Sequence, residues 1–236
     1  HSWFPLTEDL KLDFEILSLD LPGHGFTKAL TKQKKQLKNI VDQIYNLLQE
    51  INFIPEIVLG HSAGAVIAYE LAKKLENSPY TVAINAAFGQ FSGLAGVAFP
   101  YFAKIAAATT IPARLLTLLA NKQDLVQRLL SGTGSTIPRE QIRCYQYLFT
   151  SPDHVDGTLQ MMADWELGDF LDQLPRDTSP IHFFVGEKDK TVPSHISHSW
   201  ARVISNSRLT ECKGLGHLMH EEDPLTVSSI LKTSFN

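Results

Sequence analysis

The sequence predicts an α/β fold, with a mostly parallel β-sheet flanked by helices and a block of helices inserted between two strands. Strand and helix patterns alternate at both ends of the chain, and the strand segments are apolar on both faces, as in sheets covered by helices. Between residues 88 and 175, glycines and prolines separate helical stretches, and no strand pattern occurs. We therefore expect an α/β core at 1–87 and 176–236, with a helical lid at 88–175.

The first core segment contains three strand patterns and two helix patterns. The strands are predicted at residues 14–19, 56–59 and 80–85, and the helices at 32–51 and 65–75. The run at 14–19 is short, apolar and stopped by Pro22, Gly23 and Gly25, so we expect a buried strand there.

The rest of the chain continues this pattern. Helices are predicted at 113–130 and 139–148 in the inserted block, strands at 181–185 and 208–213, and helices after Pro193 and Pro224. Cys144 lies in a helix pattern and Cys212 in a strand pattern, and we expect both to be buried thiols.

Composition excludes several classes of protein. The 236 residues include 44% hydrophobic and 19% charged residues, which is ordinary for a globular domain and excludes intrinsic disorder. A net charge of -4 gives no general attraction for nucleic acid or anionic membranes, and we interpret the lysines at 28–38 as a solvated helix start. No apolar run reaches the ~20 residues of a membrane span, and no signal peptide opens the chain, so we expect a cytoplasmic protein.

The motif Gly60-His61-Ser62-Ala63-Gly64 stands where a predicted strand passes into a predicted helix. Gly-x-Ser-x-Gly in that place is typical of a tight turn that exposes a serine nucleophile. We expect a side chain at Gly60 or Gly64 to collide with neighbouring backbone, which would strain Ser62. The Ala63 N–H, at the helix start, would stabilise a developing oxyanion. The alternative is a glycine-rich turn with an incidental serine.

A serine nucleophile needs a base and an acid that orients it, and in this fold class they follow in the order serine, acid, histidine. Asp189 comes in the loop after the strand at 181–185, and Glu187 competes with it from a position closer to the strand. His217 ends the loop Gly214-Leu215-Gly216-His217 after the next strand. Its rival His220 is interpreted as a surface histidine at a helix start. The predicted set is therefore Ser62, Asp189 and His217.

Two further patterns invite a different chemistry. His195 and His198 have helical spacing, but no carboxylate or thiolate ligand set accompanies them, so we predict no metal and no cofactor. Gly132-Thr133-Gly134 looks like a phosphate loop, but it lacks a preceding strand and a Walker lysine, so nucleotide binding is not expected.

These motifs resemble the α/β-hydrolase superfamily over nearly the whole chain. Its landmarks are matched by Asp20-Leu21-Pro22-Gly23-His24-Gly25 and by the segments 60–64, 186–189 and 214–217. The segments 91–96, 131–135, 151–157 and 216–222 are similar to the magnesium-chelatase accessory hydrolases of bacteriochlorophyll biosynthesis. That resemblance implies a tetrapyrrole-pathway context.

The chain departs from the family pattern at its start. Family members carry a strand ahead of the segment matching His1-Ser2-Trp3, and its His-Gly loop supplies a second oxyanion N–H. In the family's strand order, that strand lies between those matching 14–19 and 56–59. The resemblance therefore implies that the sequence is truncated at its N-terminus, and direct pairing of these two strands would refute this hypothesis.

The inserted block suggests the substrate class. Residues 91–120 are rich in aromatic and aliphatic side chains, so they could roof an apolar pocket. Expected pocket residues are Trp3, His61, Phe91, His154 and Trp165. The alternative is helix capping for His154 and Trp165, and ordinary turn packing for His61.

Two function classes remain open. The first is a serine hydrolase that cleaves an apolar ester or acyl substrate. The second is a non-catalytic accessory protein that binds an apolar ligand such as a tetrapyrrole. An aspartate would stand at position 62 in the dehalogenases and epoxide hydrolases of this superfamily, so those reactions are not expected.

Overall fold

A computed structural model describes residues 1–28, 36–89, 117 and 123–235 of the chain. In this part, four strands form one parallel sheet in the order β1-β2-β3-β4. Their bounds are β1 Ile57–His61, β2 Tyr80–Ile84, β3 Ile181–Gly186 and β4 Ser207–Cys212. Each agrees with a predicted strand to within two residues, and β3 is buried along its whole length, as a sheet covered on both faces requires.

Helices cover both faces of the sheet. One face packs on α3 (Ala63–Lys74) and α8 (Ser194–Val203), around a core that includes Tyr69, Phe88 and Phe183. The other face packs on α1 (Phe4–Leu10) and α10 (Pro224–Phe235), where Leu6, Phe184 and Val227 meet. Further out, α2 (Leu37–Glu50) packs its apolar side against α3.

Between β2 and β3, the part of the chain that the structure describes contains helices joined by turns and irregular segments, and no strand, in agreement with the sequence pattern. The helices are α4 Gln123–Gly132, α5 Arg139–Phe149, α6 Pro152–Ala163 and α7 Gly168–Gln173, followed by one 3₁₀ turn at Leu174–Arg176. Most of the segment 91–120, the expected pocket roof, lies outside the described residues.

The predicted strand at 14–19 is wrong. These residues form no strand, and residues 15–18 are exposed. Among the described residues, no backbone hydrogen bond joins them to β1, and a cleft of about 2030 Å³ is lined by both segments. Apolar sequence alone does not make a strand, because a strand needs a hydrogen-bonding neighbour, and the space beside this edge of β1 is open. The direct pairing that would have refuted the truncation hypothesis is therefore not observed.

Smaller differences concern the ends of elements. The described part of α2 begins at Leu37, because Gln36 before it has an extended backbone (φ -68°, ψ 149°). Helix α1 and the short α9 (Met219–Glu222) were not predicted. Cys212 is buried, but Cys144 is only half-buried on α5. No helix among the described residues is long and apolar enough to cross a bilayer.

Candidate active site

Ser62 occupies the tight turn between β1 and α3 with a strained backbone, at φ 54° and ψ -119°. A positive φ costs a non-glycine residue about 1–2 kcal/mol, so the surrounding backbone must hold it. The Ser62 N–H donates to the Ile84 carbonyl (2.9 Å), and the Ser62 carbonyl accepts from the N–H of Ala87 (3.1 Å). The end of β2 and the residues just after it therefore hold the turn, and the strained backbone of Ser62 agrees with the sequence motif.

The two glycines of the motif differ in what they permit. A Cβ on Gly60 would lie 2.2 Å from the Gly64 carbonyl oxygen, so only glycine fits there. A Cβ on Gly64 would meet nothing within 4 Å, so the predicted collision at Gly64 is wrong. Gly64 faces open space on the first turn of α3, whereas the backbone of that turn crosses over Gly60.

Asp189 and His217 form a buried pair, with Asp189 Oδ2 2.7 Å from His217 Nδ1. The Asp189 side chain is 0% exposed and that of His217 is 7% exposed. The other carboxylate oxygen, Oδ1, accepts the N–H groups of Thr191 (2.7 Å) and Val192 (2.9 Å). Because the carboxylate accepts at Nδ1, the neutral imidazole keeps Nε2 free of a proton, as a general base requires.

Glu187, the predicted competitor of Asp189, has a different contact. Its carboxylate accepts the Gly214 N–H at 2.7 Å, so it joins the loop after β3 to the loop after β4 and does not contact the imidazole. The structure therefore brings Asp189, not Glu187, to His217.

Asn85 is a residue of this site that the sequence reasoning missed. Its buried side-chain amide donates to the carbonyl oxygens of Gly216 (3.0 Å) and His217 (2.8 Å), and its Oδ1 accepts the Gly186 N–H (2.8 Å). One side chain thus ties the end of β3 to the histidine loop. The available signal was a polar residue directly after the apolar strand β2, where the carboxyl ends of parallel strands meet.

The predicted surface position of His220 is wrong, because the residue is fully buried. Its ring lies 4.6 Å from the Trp3 ring and 4.6 Å from the His61 ring, and the His61 ring lies 4.5 Å from that of His217. Four rings, tilted by 35° to 57° from one to the next, therefore follow each other in a row from Trp3 to the predicted base. Helix α9 carries His220 inward because Met219 beside it belongs to the core under α1 and α10.

Burial keeps the two inner histidines neutral. It holds the pKa of His61 well below its usual range, with smaller contributions from the charges of His220 and His217. Burial and then the charge of His217 lower the pKa of His220 to about 3. His61 Nε2 lies 2.9 Å from the His217 carbonyl oxygen, which can only accept, so His61 donates and holds the base from behind.

A second polar cluster closes the far end of the ring row. The Ser2 hydroxyl donates to Glu221 Oε1 (2.6 Å) and lies 2.9 Å from His220 Nε2, and the Tyr145 hydroxyl also donates to Glu221 (2.6 Å). Burial raises the pKa of Glu221, opposed by these two hydrogen bonds. The Ser2 hydroxyl has a single proton, which it donates to Glu221, so its contact with His220 does not repeat the pairing of a nucleophile with its base.

The cleft beside Ser62 receives most of the predicted pocket residues. Trp3, His61 and Trp165 line it together with Ser62 and His217. His154 is not among the lining residues, because its Nδ1 accepts the Gly25 N–H at 3.1 Å and its ring packs on His24. Phe91 lies outside the described residues. In the described ranges, no three His, Cys, Asp or Glu side chains form a group that could hold a metal ion.

Comparison with known proteins agrees with this architecture. A family model described as the alpha/beta hydrolase fold matches residues 1–224. The magnesium-chelatase 30 kDa subunit of Rhodobacter capsulatus is 38% identical over 221 residues, covering 94% of this chain and 77% of that protein. The pimeloyl-[acyl-carrier protein] methyl ester esterase of Pseudoalteromonas atlantica is 24% identical, covering 94% of this chain and 85% of the esterase.

A solved structure has the same fold at low identity. MenH from S. aureus superposes with a TM-score of 0.77 at 16% identity, covering 98% of this chain and 87% of that one. The family match spans nearly the whole chain and includes the strand–turn–helix that carries Ser62. The chain therefore belongs to the α/β-hydrolase family.

Proposed function

We propose that the protein is a serine hydrolase that cleaves an apolar ester or acyl substrate through an acyl-enzyme. Ser62 Oγ attacks the substrate carbonyl carbon while His217 Nε2 takes the serine proton and then gives it to the leaving group. Asp189 orients the imidazole and stabilises its charged form. A water molecule, deprotonated by His217, then releases the acyl group as an acid and restores Ser62. The buried 2.7 Å contact between Asp189 and His217, together with the cleft that both Ser62 and His217 line, carries this proposal.

The oxyanion of the tetrahedral intermediate would be held at the start of α3. The Ala63 N–H is the first of that helix, where the backbone dipole favours negative charge. We propose that a second donor comes from a strand upstream of His1, and the open edge of β1 beside the cleft supports this. A missing donor would lower turnover on the order of 10²- to 10³-fold.

The lining of the cleft supports an apolar substrate. Met161 and Trp165, from the helical insertion, line it together with the buried apolar residues Ile67 and Val192. Because α6 and the turn after it reach the cleft, we propose that the inserted block at 88–175 acts as a lid. A measured preference for short, highly charged esters would contradict this substrate class.

We also propose a cytoplasmic location, which fractionation of the native host would test.

Intact-mass labelling with a fluorophosphonate tests the hydrolase proposal. An activated serine displaces fluoride and forms one Ser62 Oγ–P bond, so we expect a single adduct that Ser62→Ala abolishes. The same test on a longer chain with the natural residues before His1 examines the second donor, and faster labelling there is expected. No adduct on either chain would refute the hydrolase proposal.

A second function is favoured by one observation, the 38% identity to a magnesium-chelatase subunit. In this alternative, the cleft of about 2030 Å³ binds an apolar ligand such as a tetrapyrrole, without chemistry. Protoporphyrin IX titrated into the protein, followed by tryptophan quenching from Trp3 and Trp165, tests it. Saturable quenching that Ser62→Ala leaves unchanged, together with no fluorophosphonate adduct, would favour the accessory function. Adduct formation that protoporphyrin does not inhibit would favour the hydrolase.

A further inference from the structure

A short turn of the helical insertion, residues 133–135, lies between the loops that carry the acid and the base. On one side, the Lys190 N–H donates to the Thr133 carbonyl oxygen at 3.1 Å. On the other side, the Leu218 N–H donates to the Ser135 hydroxyl at 2.7 Å, in a buried contact. Each partner is the residue directly after the acid or the base. We call residues 133–135 the clamp turn.

The backbones at this point approach so closely that no side chain fits between them. Gly134 has a φ of +88°, and a Cβ on it would lie 2.0 Å from the Lys188 carbonyl oxygen. A Cβ on Gly216 would lie 2.4 Å from the Gly134 carbonyl carbon, and one on Gly186 would lie 2.5 Å from the Gly216 carbonyl oxygen. Glycine is therefore required where the clamp turn, the acid loop and the histidine loop meet.

This packing accounts for Gly134, the second glycine of the segment that looks like a phosphate loop in the sequence. A phosphate cradle presents backbone N–H groups to an open space. Here the carbonyl of Thr133 and the hydroxyl of Ser135 instead accept from the two loops, and the space beside Gly134 is filled by backbone. The motif therefore packs against the acid loop and the histidine loop instead of binding a ligand.

The contact matters because the acid and the base come from separate loops. Their 2.7 Å hydrogen bond joins residues 28 positions apart, so it depends on how the two loops sit relative to each other. Asn85 fixes the inner side of these loops, and the clamp turn fixes the outer side. A shift of about 1 Å at such a pair can lower the rate about 10²-fold.

We propose that Gly134 is a positioning residue, through which the helical insertion holds Asp189 and His217 in register. The inference rests on the proposed function, since it concerns the same acid and base. On this inference, the helical insertion aligns the acid and the base, in addition to its proposed role as a lid.

The test compares Gly134→Ala with Gly132→Ala. Gly132 lies two positions earlier, at the end of α4, and a Cβ there meets nothing within 4 Å, so it is a matched control. We expect Gly134→Ala to slow fluorophosphonate labelling of Ser62 by about 10- to 100-fold. We also expect it to shift or remove the downfield proton resonance of His217 Nδ1–H, assigned by its loss in His217→Gln. Gly132→Ala should match the unmodified protein in both measurements.

The resonance separates this inference from the proposed function, because it reports the hydrogen bond whether or not Ser62 reacts. A protein that is not labelled but loses the resonance on Gly134→Ala would refute the hydrolase and support the positioning. The positioning would be overturned if Gly134→Ala and Gly132→Ala had the same His217 resonance and the same labelling rate. It would also be overturned if the unmodified protein lacked the resonance.

A second variant covers the case in which Gly134→Ala does not fold. Ser135→Ala removes only the acceptor of the Leu218 N–H, so the backbone contacts stay. We expect a several-fold slower labelling and a shifted resonance. Labelling and resonance both unchanged in Ser135→Ala would overturn the inference.

Discussion

Replacing Asn85 by alanine should destabilise the protein by about 4 kcal/mol. The change orphans the Gly186 N–H and the Gly216 carbonyl oxygen in a buried site, at about 1.5 kcal/mol each, or 3 kcal/mol together. The His217 carbonyl keeps the hydrogen bond from His61 and adds little. Asn85 has a φ of 44°, which alanine tolerates less well than asparagine by about 1 kcal/mol.

Two companion variants separate these contributions. Asn85→Gly relieves the backbone but loses the same hydrogen bonds, so it should cost about 3 kcal/mol. Asn77→Ala is the control, since its side chain makes one hydrogen bond, to the Pro55 carbonyl at an exposed position, and should cost about 1 kcal/mol or less.

Urea unfolding followed by tryptophan fluorescence measures all three variants. Asn85→Gly should also slow fluorophosphonate labelling, about 10²-fold if the histidine loop moves by about 1 Å. An Asn85→Gly cost no larger than that of Asn77→Ala would refute the reasoning, because it would mean that the two loops hold their positions without the amide.

Three further predictions concern stability and reactivity. Gly60→Ala should prevent folding or lower the melting temperature strongly, whereas Gly64→Ala should leave it nearly unchanged, as thermal unfolding will show; equal effects would contradict the contacts at the turn. His220 is neutral when folded and has a pKa near 3, against about 6.5 unfolded, so its stabilisation is present above pH 6.5 and is lost as the pH falls. Between pH 6.5 and 5, His220→Gln should reduce this loss by about 2 kcal/mol in urea unfolding; parallel curves would contradict it. Iodoacetamide should modify half-buried Cys144 before Cys212, whose burial raises its pKa to about 11; peptide mapping that finds the reverse order would contradict this.

The sequence predicted the parts of the molecule that depend on local pattern. The strands β1 to β3 were predicted because each is a mainly apolar run bounded by proline, glycine or asparagine, and β3 is buried throughout. Strand β4 is more polar, and its place before a glycine loop indicated it. Asp189 and His217 were predicted from their places after strands, and the structure brings them within 2.7 Å.

The remaining features depend on contacts between distant segments. The apolar run at 14–19 has the composition of a strand, but it pairs with no strand in the part of the chain that the structure describes. His220 follows the glycine loop in a polar stretch, and only the packing of Met219 under α1 and α10 turns it inward. The use of Gly134 depends on the Lys188 carbonyl, 54 positions away in sequence (188 minus 134), which no local pattern could indicate.

The row of rings behind the base has a consequence for how the protein is made. Ser2 contacts His220 and Glu221, which are 218 and 219 residues later in the chain. During synthesis, residues 220 and 221 must therefore be made before the contacts of Ser2 behind His217 can form. Such long-range contacts form late and slowly. We infer that β1, α3 and β2, which are made earlier, can form before the surroundings of the base are completed.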